Sequence, residues 1–318
     1  MKKPELSIER RDHPEQYYGC WLSCHGYESR SVAHLDMLEF NAQRRVSLGF
    51  NFPAASEDNE ASKRVALARR RLGEAGYETP VVDDVAFEAI VRSELSKLTE
   101  LSGQSVAADI SSMSRSRIAA LVISFFEHSR HKSPRYLDLF YFPASFDSHK
   151  HDFEPLESFG PCHAYLSGWP ADPDLPLAAV MGLGTEPRRA DGVVEMLEPD
   201  ILALYLPQGD QAEYTVELQK ENRRVLSVGG EPSYYSLRDP ESLYLSLLAT
   251  GERLAERSRL IFVPLGPKLF SALCVTAALS IGPEVGVWKA SSGRGVGLVD
   301  AQALGDPIIV RITSSVLG

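Results

Sequence analysis

The sequence predicts an α/β protein built from two tandem Rossmann-like parallel-sheet units related by internal duplication. Short apolar runs alternate with amphipathic segments along the 318 residues, the pattern of strands covered by helices. Those runs are apolar on both faces, as strands of a buried parallel sheet are. A polar motif also recurs. Gly26-Tyr27-Glu28-Ser29-Arg30 follows the apolar run 19–24, and Gly184-Thr185-Glu186-Pro187-Arg188 follows the run 177–183. The offset, 188 − 30 = 158, is about half the chain, and an echo at fixed period signals repeated architecture. The expected units are 1–158 and 159–318.

In the first half the expected strands are 18–24, 46–52, 80–82, 106–110 and 136–142. Helices are expected over 31–40, 61–72, 85–98 and 117–128. Val32, Leu35 and Leu38 share one helical face, and Phe87, Ile90, Val91 and Leu95 another. Arg69-Arg70-Arg71 fall near a helix C-terminus, where cations suit the dipole. Gly73 or Gly76 ends that helix. In the second half the expected strands are 177–183, 201–206, 225–228, 260–263 and 285–288. Its helices are expected over 190–197, 213–223, 240–257 and 268–279. Further echoes join the halves: Phe52-Pro53 with Leu206-Pro207, and Ala144-Ser145 with Ala290-Ser291. Each half then has one more apolar strand, 163–169 and 308–312. Residues 147–176, rich in Pro, Asp, His and Gly, read as the connector.

Composition narrows the function classes. The chain is 44% hydrophobic and 24% charged, a globular mixture. Its net charge is −10 and neither half is basic, so duplex nucleic acid is not an expected partner. A few cations in a cleft still dominate locally, so an anion site is compatible with that charge. Residues 1–16 are charged and carry no signal-type apolar stretch. No run approaches the ~20 residues of a membrane span. The expected localisation is cytoplasmic, without a membrane partner. Cys20 and Cys24 lie four apart on a strand and share a face; with Cys162 and Cys274 they read as buried thiols.

Ligands of open parallel sheets bind beyond the carboxyl ends of the strands, which selects the candidate residues. Asp109-Ile110-Ser111-Ser112-Met113-Ser114-Arg115 is the densest polar stretch, lying between a strand and a helix. Its hydroxyls and helix-start amides suit an anion, and Arg115 can fork onto a phosphate; equally, Ser114 or Ser116 caps the helix. Gly266 and Lys268 hold the matching place in the second half, and Lys289 lies near the end of the fifth strand. A lysine at a helix start is disfavoured by the dipole unless an anion intervenes. Glu28 with Arg30, and Glu186 with Arg188, either orient a ligand or pair as structural ion pairs.

Recognised catalytic motifs are absent from the sequence: no P-loop, no complete dinucleotide fingerprint around Gly182-x-Gly184, no Gly-x-Ser-x-Gly elbow, no zinc spacing. No metal and no cofactor are expected. Asp109 or Glu28 is the candidate general acid or base. Ser111, Ser112 or Ser114 with His25 and Asp109 is a candidate nucleophile–base–acid set. His149-Lys150-His151 and Asp152 read as a solvated loop cluster, and Tyr234-Tyr235 either stack on a base or pack in a short strand.

The duplicated strand order, the two Gly-x-Glu-x-Arg segments and the polar loops after the fourth strands resemble the ligand-sensing modules of prokaryotic defence systems. These are the CRISPR-associated Rossmann-fold (CARF) domains and their fused-pair SAVED relatives. The resemblance spans nearly the whole chain and implies an oligonucleotide or nucleotide-like anion held in a cleft between the halves. Output is then expected from a separate effector protein or from the same fold. Two alternatives stand beside it. One is a hydrolase or transferase acting on a nucleotide or phosphorylated metabolite. The other is a structural subunit of a multi-protein complex.

Overall fold

The computed structural model describes residues 5–51, 59–98, 105–129, 136–146, 156–168, 172–209, 211–292 and 300–315. In chain order the strands are β1 (Glu5–Arg11), β2 (Tyr17–Ser23), β3 (Asn41–Ser47), β4 (Gly49–Phe50), β5 (Val81–Val82), β6 (Val106–Asp109), β7 (Tyr136–Tyr141), β8 (Leu156–Pro161), β9 (Leu177–Gly182), β10 (Ile201–Gln208), β11 (Ser233–Ser236), β12 (Arg259–Pro264), β13 (Gly286–Ser292) and β14 (Ile308–Ser315). The helices are α1 (His34–Met37), α2 (Glu60–Glu74), α3 (Asp84–Lys97), α4 (Arg115–Ser129), α5 (Arg189–Leu197), α6 (Ala212–Glu221), α7 (Arg223–Gly229), α8 (Pro240–Ala255) and α9 (Lys268–Ile281). A 3-10 turn, Ser29–Val32, precedes α1, and another, Ala164–Leu166, follows β8.

Two six-stranded, mostly parallel sheets result, ordered β1-β14-β7-β6-β2-β3 and β11-β10-β9-β12-β13-β8. In the first unit β4 and β5 pair in parallel, and Val46 bridges Glu78 in the same sense, so the third parallel strand flanks the second. Numbered within each unit, the five parallel strands then run 3-2-1-4-5 in both, the Rossmann-like order. In both units an antiparallel strand covers the fifth: β14 on β7, and β8 on β13.

The chain divides into compact units of Met1–Ser145 with Val296–Gly318, and Phe146–Gly295. A divide at 158 falls inside β8, which belongs with β13, and the final strand returns to the first sheet.

Other local differences have physical reasons. β1 falls in a segment without an expected strand because it is a charged edge strand, with Leu6 its one buried residue. The expected helix 31–40 is a 3-10 turn and one α turn, because the chain must reverse into β3 by Asn41. Residues 225–228 are helical within α7; the third strand of that unit is β11, whose Tyr235 is buried while Tyr234 faces outward. The expected strand 163–169 contains the 3-10 turn after β8 instead. The Phe52-Pro53 echo lies outside the described residues.

Cores form on the sheet faces. In the first unit Tyr18, Trp21, Leu72, Tyr77, Ala107, Phe140 and Phe142 pack together. In the second, Met181, Leu183, Leu204, Leu206, Ile261 and Val263 do so. Each fully buried large apolar side chain contributes about 1.5–3 kcal/mol. All four cysteines are buried thiols. Arg311 on β14 forks onto Asp138 of β7 at 2.7 and 2.8 Å and reaches Glu15 at 2.6 Å, while Tyr18 donates to Asp138 at 2.9 Å. This buried network seals the first sheet around its last strand.

Candidate functional site

In a 3-2-1-4-5 sheet the strand order reverses between the first and fourth strands, and a crevice opens beyond their carboxyl ends. In the first unit those strands are β2 and β6, where Ser23 is the register partner of Asp109. Asp109 is buried and doubly engaged. Its Oδ1 accepts from the Ser111 amide at 2.9 Å, and its Oδ2 faces His34 Nδ1 at 3.2 Å. His34 lies against the rings of Trp21 and Tyr77, at centroid distances of 5.3 and 5.6 Å. A carboxylate at Nδ1 fixes the proton there and leaves Nε2 as an acceptor. Among the described residues His34 Nε2 has no hydrogen-bond partner, nor have Ser23 Oγ, Ser31 Oγ and Ser112 Oγ, all of them buried. Trp21 and Ser23, two apart on β2, share a face with Ala107 and Asp109 on β6. Ser23 and Asp109 therefore share a face at the switch point, and His34 engages Asp109 there.

His25, the expected partner of Asp109, sits one strand over. Its Nδ1 meets Ser47 Oγ at 3.2 Å. Its Nε2 packs on Gly49, where an added Cβ would lie 2.6 Å from it. Burial, then the charges of Arg69 and Arg117, lower its pKa to about 4, so the ring is neutral at pH 7. His34 is the imidazole that Asp109 engages. No local motif announces that pairing, because 75 residues separate the two.

The other candidates of the first unit divide between structural tasks and the site. Ser111 Oγ accepts from the Phe142 amide at 2.8 Å, and Ser114 Oγ caps α4 by accepting from the Arg117 amide at 3.1 Å. Ser112 is buried and Arg115, at the first turn of α4, is partly exposed. Glu28 and Arg30 pair with each other at 2.7 Å, and Arg30 also donates to the Phe142 carbonyl at 3.1 Å. Although its own burial opposes the charge, Glu28 beside it raises the Arg30 pKa. Arg117, absent from the sequence-based candidates, is 1% exposed. It donates to the carbonyls of Leu48 (3.0 Å), Gly49 (3.3 Å) and Val82 (2.6 Å), ion-pairs with Asp84 at 3.1 Å and lies 3.9 Å over the Phe50 ring. It pins β4 to β5.

The second unit finishes its switch point with backbone. A Cβ on Gly184 would lie 2.7 Å from the Leu265 carbonyl oxygen, and one on Gly266 2.6 Å from that of Leu183. The amides of Leu265 and Gly266 both donate to the Gly182 carbonyl, at 2.9 and 3.1 Å. Asn222 donates to the Gly184 carbonyl at 2.8 Å. Gly266 thus serves close loop packing. Glu186 packs on Gly184. Arg188 is exposed with φ 56° at the start of α5. Lys268 opens α9 and Lys289 lies on β13, both partly buried. Tyr235 lies 5.2 Å from the Phe270 ring.

Among the described residues no group of three or more His, Cys, Asp or Glu is placed to hold a metal ion, and no helix is long and apolar enough to cross a membrane. Asp147, His149, Lys150, His151, Asp152 and Arg294 lie outside those residues. No family model matches the chain, and no curated protein matches it in sequence.

Proposed function

We propose that this chain binds a nucleotide-like or oligonucleotide anion, as the sensing modules it resembles do, and that the first unit's switch point is the ligand-binding edge. One observation carries this reading. Buried polar atoms lacking hydrogen-bond partners among the described residues gather where β2 and β6 end: Ser23 Oγ, His34 Nε2 and Ser112 Oγ. Buried polar groups are ordinarily satisfied, so such a concentration calls for a polar partner. The first turn of α4 and Arg115 lie three residues beyond Ser112 and supply the positive end that suits an anion. The shared strand order supports descent of both halves from one duplicated unit, with the polar edge kept in the first. A cytoplasmic sensor that signals through a separate effector is the role this implies.

Thermal shift against mononucleotides and linear and cyclic oligonucleotides tests the reading. A ligand at 100 times its Kd adds about 2.7 kcal/mol of stability. The shift should shrink with added salt and in Arg115→Ala. A flat screen, or a hit indifferent to Arg115→Ala, overturns it.

A further inference from the structure

We propose that the first unit also has an ester-hydrolysing activity, with Ser23 as nucleophile, His34 as the base that serves it and Asp109 as the residue positioning that base. The three groups are assembled by parts of the chain that share no local motif: the end of β2, the single turn α1 and the end of β6. Asp109 holds His34 Nδ1 at 3.2 Å and is itself fixed by the Ser111 amide at 2.9 Å. That fixes the ring and aims the Nε2 lone pair away from Asp109. Ser23 is the hydroxyl beside Asp109 in register and on the same face. Both Ser23 Oγ and His34 Nε2 lack partners among the described residues, whereas Ser111 and Ser114 spend their hydroxyls on backbone amides. Nucleophile and base are often further apart without substrate than during reaction.

Ser23 Oγ forms a bond to the carbonyl carbon of an ester while its proton passes to His34 Nε2. The bond from that carbon to the leaving oxygen breaks, and the departing alcohol takes the proton. Water, giving a proton to the same Nε2, then attacks the acyl-serine; the acid leaves and Ser23 recovers its proton.

Ser23 and His34 are fully buried, so substrate reaches them when the strap over them lifts. That strap is the 3-10 turn Ser29–Val32, which precedes α1 and moves without carrying His34 off Asp109. It is tethered through the amide and hydroxyl of Ser29 to the Asp300 carboxylate, both at 2.7 Å, and by the Arg30 amide to the Ala301 carbonyl at 3.0 Å. Loosening the tether should therefore increase reactivity.

The test uses the full chain and a fluorophosphonate probe, which phosphonylates an activated serine with loss of fluoride, read by mass spectrometry. Labelling is expected at Ser23, absent in Ser23→Ala and faster in Asp300→Ala. His34→Gln should slow it by roughly 100-fold or more. Asp109→Asn, near-isosteric, should slow it while its melting temperature shows the fold intact. No labelling at Ser23 in both the wild type and Asp300→Ala, labelling on Ser112 instead, or labelling undiminished by His34→Gln overturns the proposal. The anion-binding reading stands or falls separately, because thermal shift measures it without turnover.

Discussion

At the first unit's switch point Ser23, His34, Asp109 and Ser112 bring side chains to the strand ends; at the second unit's, Gly184 and Gly266 bring backbone against backbone. The strand order is common to both. The topology is shared, and the residues of two short loops make the difference: polar side chains at one switch point, closely packed glycines at the other. The sixth strands differ in the same spirit. β14 is held by the buried ionic network of Arg311, Asp138, Glu15 and Tyr18, whereas β8 lays Phe159 on Trp288, with ring centroids 5.3 Å apart. The first unit holds its antiparallel strand with charged groups where the second uses an aromatic contact.

The contrast breaks most visibly at β14. Arg311→Ala leaves the Asp138 carboxylate buried without its main partner and should cost about 3–5 kcal/mol in denaturant unfolding. Next is pH. Only the first unit buries histidine among the described residues. His25 titrates near 4 when folded and near 6.5 when unfolded. Between those values the unfolded chain binds a proton that the folded chain refuses. Stability should thus be full above pH 6.5 and fall by about 3 kcal/mol on approaching pH 4. Urea midpoints measured from pH 7 to 5 isolate the upper part of that slope, which His25→Gln should flatten. Smallest is the comparison of the loops. Gly184→Ala or Gly266→Ala should cost about 1–3 kcal/mol, since each new Cβ meets a carbonyl oxygen. Ser112→Ala in the first unit should be neutral within about 0.5 kcal/mol, because its hydroxyl has no hydrogen-bond partner among the described residues. Equal losses at the two loops would show that both are packed in the same way.

What sequence reasoning reached follows from where the determining contacts lie. Central strands such as β6 and β9 are buried on both faces, so their apolar runs declare them. Capping is also local: Ser114 lies three residues before the amide it caps. Edge elements are harder to read, since β1 is charged along its length and β11 is a four-residue strand preceded by a short, partly apolar helix. The site was half legible. Asp109 and the serine loop stand out by composition, but what His34 and Arg117 engage depends on partners distant in sequence. Nothing near Glu28 and Arg30 distinguishes an ion pair from a ligand pair until the Phe142 carbonyl is seen to take another of the arginine's donors.

The placement of β14 between β1 and β7 sets an order of events during synthesis. β7 leaves the ribosome, then every residue of the second unit, and only then the strand that covers β7. Throughout that interval the first sheet keeps an open edge, a template for pairing with other chains. The nascent first unit therefore waits for its last strand while the second can already fold. A chaperone that shields strand edges would have its longest opportunity there.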